Sequence, residues 1–428
     1  MNLDQPVNPN YCATVVRVKN LVPLNNADRL LGMPLFGLQA VVGLNTEVGD
    51  LGLLFPTEVQ LSDTFCRVNN LYRHAEQNAD GTTIGYIEDN RRVRAIKLRG
   101  NRSDALFMSL ESVNFTGIAP SDLKEGMTFD TLNGIEICRK YVRKVKQPGS
   151  GRVQLPKVRR VDEKMFPQHF DSTHWGRVDR NIDLDAHLIV TQKLHGTSIR
   201  VGNVLVNRKL SLLERIARRL GVRVQEREYA YVYGSRKVVK DANDPEQNHF
   251  YDSDLWSSEG KKLDGLIPEG FVVYGELIGW TEGGAPIQEH YTYDCLPGTR
   301  RLYVYRISYV SPQGAVADLS WDAVKSFCAS AGLTTVPEVG RFLMRDFSPE
   351  LYIDVKLRDN WRIGFEDHLV PLADDSPCDE GICIRIESGM IPEIYKHKSP
   401  IFLQHETAML DKDVADIDAD EVVQAGVE

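Results

Sequence analysis

Between Arg139 and Arg160 the chain carries nine Lys or Arg, no Asp or Glu, two prolines and a Gly-Ser-Gly. Like charges at this density cannot be buried without partners, and Pro and Gly interrupt both helices and sheet ladders. The stretch therefore reads as an exposed linker or arm, and the chain on either side of it must build a core of its own. A length of 428 residues allows this, at roughly 100–200 residues per domain. We expect a module over 1–115, a basic linker or arm over 116–160, a larger domain over 161–410 and an acidic flexible tail over 411–428.

The hydrophobic pattern differs on the two sides of the arm. From 12 to about 115 the apolar segments are short: CATVVRV, FGLQAVVGL, VGDLGLLFP, IGYIE and VRAIKLRG, separated by Gly, Asn or Asp. Many short strands with turn signals predict a small closed β-barrel, similar to OB-fold modules that bind nucleic acid. Beyond 160 the segments lengthen. HLIVTQK, SIRVGNVLV, YAYVYGSRK, FVVYGELIG, RLYVYRISYV, GICIRIE and PEIYKHK are rich in β-branched and aromatic residues and predict strands. LSLLERIARRL and LSWDAVKSFCASAG have helical apolar spacing, the second with Asp318 as its expected cap. Without regular βαβ alternation, this mixture implies an α+β fold with largely antiparallel sheets.

With 51 Lys+Arg against 60 Asp+Glu, the net charge of −9 argues at first against a phosphate backbone as partner. The charge is segregated, however. The tail from Asp411 contributes 1 − 7 = −6, whereas RRVRAIKLRGNR and the arm are strongly basic, so a positive track for a polynucleotide is available. The seven cysteines include no C-x-x-C pair, which suits neither a zinc cage nor a disulfide framework and fits a reducing compartment. No leader with a basic then apolar run opens the sequence, and no apolar run approaches the ~20 residues that span a bilayer. A cytoplasmic monomer without membrane association is expected.

The chemistry concentrates in five segments. The first is Lys193-Leu194-His195-Gly196-Thr197-Ser198, where one strand ends and the next begins. A lysine beside a tight glycine turn can point its amine into a cleft while the glycine allows close backbone approach. Alone this is weak, since K-x-[DH]-G should occur by chance in roughly one chain in seven of this length. It is followed, in order, by Gly275-Glu276, by Tyr303 and Tyr305 on one strand, by Glu380-Gly381-Ile382-Cys383-Ile384-Arg385, and by Tyr395-Lys396-His397-Lys398. Period-two geometry puts Lys396 and Lys398 on one strand face, about 7 Å apart. Two like charges so placed need anionic company such as a triphosphate.

This ordered set resembles the motifs of the covalent nucleotidyltransferase superfamily, which includes ATP-dependent DNA and RNA ligases and mRNA capping enzymes. His195, and an OB-like module ahead of the nucleotidyltransferase domain, resemble the RNA ligase group typified by the Naegleria enzyme. The resemblance implies an ATP-dependent RNA ligase, with RNA ends or a nicked RNA duplex as partner. It assigns Lys193 as the nucleophile that forms lysyl-AMP, and Lys396 and Lys398 as catalytic cations on the α-phosphate. Gln192, His195, Gly196, Ser198, Arg236, Glu276, Tyr305 and Glu380 would line the nucleotide site. Glu380 and Glu276 would carry Mg²⁺ or Mn²⁺, with Glu276 alternatively on the ribose. Tyr305 would stack on adenine, with Tyr303 competing. A free lysine has a pKa near 10.4, so roughly one in a thousand is neutral at pH 7.4. The neighbouring lysines and a divalent cation are expected to favour the neutral amine. FPQHFDSTHWGR, from Phe166 to Arg177, has no expected role beyond orienting the site. The alternatives are a DNA ligase or a capping-type guanylyltransferase and, in another class, a non-catalytic OB-fold RNA-binding protein.

Overall fold

A computed structural model of the chain describes residues 5–142, 160–177, 182–240, 254–358, 369–373, 375–388 and 391–412. Most of the basic arm and nearly all of the acidic tail lie outside the described residues.

The N-terminal strands include β1 (Ala13–Arg17), β2 (Val22–Pro23), β3 (Leu30–Leu35), β4 (Leu38–Gly43), β5 (Leu51–Pro56), β6 (Val59–Leu61), β7 (Ala105–Ser109), β8 (Thr128–Phe129) and β9 (Cys138–Lys140). Seven of them form one sheet in the order β8-β1-β5-β7-β4-β3-β2, and β9 pairs with β6. The expected closed barrel is not found among the described residues: the edge strands β8 and β2 have two residues each and do not pair with each other. Nor does IGYIE form a strand. Ile84 and Tyr86 stay exposed and only Ile87 is buried, making an isolated bridge to Tyr72, so the segment has no continuous apolar face to pair. Of VRAIKLRG, only Ile96–Leu98 is extended in a ladder. Ladder pairing with β1 and β6 continues through β8 and β9, as far as Lys140. Leu53, Phe55, Phe65 and Phe129 fill the core beneath.

The larger domain contains β10 (Thr173–His174), β11 (His187–Lys193), β12 (Thr197–Asn207), β13 (Arg227–Gly234), β14 (Val239–Lys240), β15 (Phe271–Gly279), β16 (Arg300–Val310), β17 (Val316–Asp318), β18 (Glu338–Leu343), β19 (Gly381–Ile386) and β20 (Glu393–Lys398). One sheet runs β10-β20-β19-β11-β18 and the other β14-β13-β12-β15-β16-β17. Pairing is antiparallel except between β10 and β20 and where Thr334–Thr335 lies beside β16. Leu188, Val190, Ile382 and Ile384 of the first sheet pack with Val201, Val273, Leu277, Val304 and Ile307 of the second. The fold is thus α+β and rich in antiparallel sheet, as the segment pattern implies.

The larger domain also carries the helices α1 (Leu212–Arg219), α2 (Trp321–Ala331) and α3 (Pro400–Asp411), of which α2 and α3 reach the site. Ser211 and Glu214 close a reciprocal capping box on α1. The cap of α2 is Ser320, whose side chain accepts from the Ala323 N–H, and not Asp318. A cap must immediately precede the first helical residue. Asp318 instead ends β17, where it pairs with Arg306. Among the described residues no helix is long and apolar enough to cross a membrane.

Candidate functional site

Alternation along β19 divides its side chains between two tasks. Ile382, Ile384 and Ile386 are buried in the inter-sheet core, whereas Cys383 and Arg385 line a cavity on the other face. On that face Lys193, Gly381 and Lys398 stand in register across β11, β19 and β20. With no side chain at Gly381, the two lysines flank a bare position and converge on the carboxylate beside it. Lys193 Nζ lies 2.9 Å from Glu380 Oε2, and Lys398 Nζ lies 3.5 Å from Glu380 Oε1. Gly381 has φ +149°, and a Cβ there would stand 2.1 Å from the His397 carbonyl oxygen, so only glycine fits. On the next rung Cys383 is paired with Lys396.

These charges set one another. Burial pushes the Glu380 carboxyl up, but Lys193, Lys398 and His195 outweigh it and hold it at about 2. Burial pushes the Lys193 amine down, but Glu380, Cys383 and Glu276 together outweigh burial and hold it above the ordinary lysine value. The nucleophile candidate is therefore held charged, because a carboxylate lies in direct contact with it; of the expected influences toward the neutral amine, the neighbouring lysines alone do not outweigh that contact. Lys398 is likewise held charged against burial, by Glu406 at 2.7 Å and by Glu380. Lys396 is the exception: burial, then Lys398, Lys193 and Arg236, lower it to about 7. Glu58 is pushed up to about 7 by burial and by Glu406 beside it.

Gln192, Lys193, His195, Ser198, Arg236, Glu276, Tyr305, Glu380, Lys396 and Lys398 all line the one cavity. Gly196 does not. A Cβ on Gly196 would stand 2.1 Å from the Leu277 carbonyl oxygen, so the close approach it allows is to β15. Its N–H donates to Glu276 Oε1 at 3.1 Å and thereby fixes that carboxylate. The Gln192 amide is engaged by the protein, donating to Asp379 at 2.6 Å and to the Val370 carbonyl at 3.1 Å, and accepting from the Val370 N–H at 2.9 Å. The His195 ring packs edge-on against Tyr291 and Phe402, each with its centroid 4.9 Å away, and burial pushes its pKa down.

The two tyrosines of β16 part company. Tyr274 pairs with Arg306 and Gly275 with Val304, so Tyr305 is the extra residue of a bulge. Tyr305 lines the cavity, whereas Tyr303 is buried in the core and does not line it. Strict alternation would keep them together.

Residues beyond those expected at the nucleotide site also line the cavity. Arg306 pairs with Asp318 at 3.0 Å and lies over the Phe170 and Tyr274 rings, 4.4 and 4.6 Å from their centroids. Arg306 and Arg385 both line the cavity, and the buried Nη1 of each has no hydrogen-bond partner among the described residues. Such leftover donors suit an anionic ligand. Arg306 follows Tyr305 directly and could have been singled out; Arg385 stands inside a recognised motif. The segment before β11 also has a place: His169 contacts the Tyr305 hydroxyl, burial lowers that histidine to about 3, and Asp171 pairs with Arg236. Tyr11, Glu58, Lys140 and Tyr141 arrive from the N-terminal unit and Glu406 from α3, with no local sequence signal.

No group of three His, Cys, Asp or Glu side chains is arranged around a metal position among the described residues. Glu380 and Glu276 provide a carboxylate pair beside Lys193. That suits a cation that keeps most of its waters and takes its other ligands from phosphates.

The model of the RNA ligase family matches residues 186–402, about half of the chain, and spans the stretch from Gln192 to Lys398 that supplies most of the residues lining this cavity. The chain belongs to that family. No curated protein matches it in sequence. Among solved structures it is similar to Naegleria gruberi RNA ligase with PPi, at 15% identity and TM-score 0.58, covering 92% of this chain and 98% of that one. An apo point mutant of the same enzyme gives 16% identity and TM-score 0.59, covering 94% of this chain and 100% of that one. A point mutant with ATP and Mn gives 14% identity and TM-score 0.56, covering 93% and 99%. At such identities the likeness establishes the fold.

Proposed function

We propose that this chain is an ATP-dependent RNA ligase that joins 3′-hydroxyl and 5′-phosphate ends through a lysyl-AMP intermediate. The observation that carries the reading is the convergence of Lys193 and Lys398 on Glu380, with Lys396 one rung away, on a single face of the cavity.

The Lys193 nitrogen attacks the α-phosphorus of ATP; the N–P bond forms, the bond to the β-phosphate oxygen breaks, and pyrophosphate leaves. The amine must first lose a proton to solvent, and pairing with Glu380 retains that proton in the resting site. Engaging the Glu380 carboxylate elsewhere weakens that hold. Lys396 and Lys398 neutralise the charge that builds on the α-phosphate. The spare Arg306 and Arg385 donors supply further positive ends. Glu380 and Glu276 are the residues that would hold Mg²⁺ or Mn²⁺, and a bound cation would neutralise phosphate charge. Structures of the Naegleria enzyme with ATP and Mn, and with AMP and Mn, are in keeping with this. Tyr305 stacks on the adenine. An RNA 5′-phosphate oxygen then attacks the AMP phosphorus, the N–P bond breaks and Lys193 recovers its proton. A 3′-hydroxyl finally attacks the activated 5′-phosphorus, the phosphodiester forms and AMP leaves. Each displacement needs in-line geometry, which a rigid two-sheet cleft can hold.

The test is sealing of a nicked RNA duplex bearing 3′-hydroxyl and 5′-phosphate ends with ATP and Mg²⁺. We expect sealed RNA with ATP and none with GTP. Preferential sealing of DNA would assign a DNA ligase, covalent guanylate a capping-type enzyme, and RNA binding without adduct or sealing a non-catalytic protein.

A further inference from the structure

Helix α3 has two faces with different partners. On one, Leu403, Thr407 and Asp411 recur every four residues and meet the N-terminal unit. Leu403 is buried in a cluster with Val16, Met33 and Leu54. Arg92 donates to the Thr407 carbonyl at 3.0 Å and pairs with Asp411 at 2.6 Å. The Thr407 hydroxyl donates to Glu58 Oε1 at 3.2 Å and accepts from the Ala95 N–H at 3.1 Å. On the other face, Phe402 is buried in the core of the larger domain and Glu406 reaches the lysines. Glu406 Oε1 lies 2.7 Å from Lys398 Nζ, which also stands 5.1 Å from the Phe402 ring centroid.

Lys398 thus lies between two carboxylates, Glu406 at 2.7 Å and Glu380 at 3.5 Å, while Glu380 also holds Lys193 at 2.9 Å. Removing the nearer partner would leave Glu380 as the carboxylate in ion-pair contact with Lys398 among the described residues, in competition with Lys193. We propose that Glu406 is a positioning residue for nucleotidyl transfer: it shares the Lys398 ammonium with Glu380 and keeps it from pairing with Glu380 alone, and the N-terminal unit fixes its place by gripping α3 through Arg92 and Glu58. This rests on the function proposed above.

The test uses the full chain and measures the maximal rate of protein–AMP formation and the half-saturating ATP concentration. Glu406→Gln keeps the size and removes the charge. We expect its maximal rate to fall about tenfold or more, with half-saturation shifted less than about threefold, the split that marks an interaction felt in the transition state. Glu406→Asp, which restores the charge, should recover part of the rate. Asp411→Asn, at a half-exposed position, should lower the rate in the same direction, and thermal melting verifies that each variant is folded. A Glu406→Gln rate within about threefold of wild type would overturn the proposal and mark a packing role that Gln can fill; so would a fall in Glu406→Asp as deep as in Glu406→Gln, since the restored charge would then recover nothing. Absence of adduct in the wild type itself would overturn the reading of the site and this inference with it.

Discussion

Gly381 is small in sequence terms and large in consequence. A side chain there would separate Lys193 from Lys398 and collide with the backbone of β20, so the meeting of both amines with Glu380 depends on a position that carries nothing. Tyr305 and Tyr303 show the opposite case, two like residues two apart with different surroundings. Replacing Tyr305 by Ala removes the ring on the cavity wall. Stacking worth about 1–3 kcal/mol predicts a rise of roughly 5- to 150-fold in half-saturating ATP for adduct formation. Tyr303→Leu, which keeps an apolar side chain in the core, should leave it within about threefold on the same scale. The reverse pattern, read from ATP titrations of the two variants, would make Tyr303 the stacking ring.

At the scale of elements, β16 and β17 act as one unit of the cavity wall. Asp318, at 1% side-chain exposure, and Arg306, at 7%, form a buried pair, and Arg306 in turn covers Phe170 and Tyr274. Asp318→Asn leaves a buried guanidinium without its counter-charge. A loss of about 3–5 kcal/mol in unfolding free energy is expected, because breaking such a pair costs the desolvation that both charges share. Denaturant unfolding measures it, and a loss below about 1 kcal/mol would place the pair in a wetter setting than the structure shows. The helices repeat the lesson of the strands. The apolar spacing of α2 was legible, but its cap was not: Asp318 and Ser320 are both good caps, and the pairing with Arg306 decides between them.

Over the whole molecule, the strand segments of the larger domain and the residues at their ends were legible because both depend on short-range pattern. Ten of the eleven residues singled out for nucleotide binding line one cavity, and Gly196 supports it from behind. What local pattern could not carry was anything set by distant partners. The bulge at Tyr305 is invisible to a period-two count. Barrel closure depends on whether two short edges meet. The bond from Thr407 to Glu58 joins residues 349 positions apart, so α3 read as the end of one domain when it is held by both. The basic arm that divides the chain thus separates two cores, while α3 and the cavity rejoin them at Lys398. The net charge of −9 is likewise an average, since the cavity gathers Lys193, Arg236, Arg306, Arg385, Lys396 and Lys398 in one place. The claim on which all of this turns is that Lys193 is the nucleophile, and it is tested by incubating the protein with α-labelled ATP and Mg²⁺ and mapping the labelled peptide. AMP attached to Lys193, with no label on Lys193→Ala, is the predicted result; label retained by Lys193→Ala, or mapped to another residue, would contradict it.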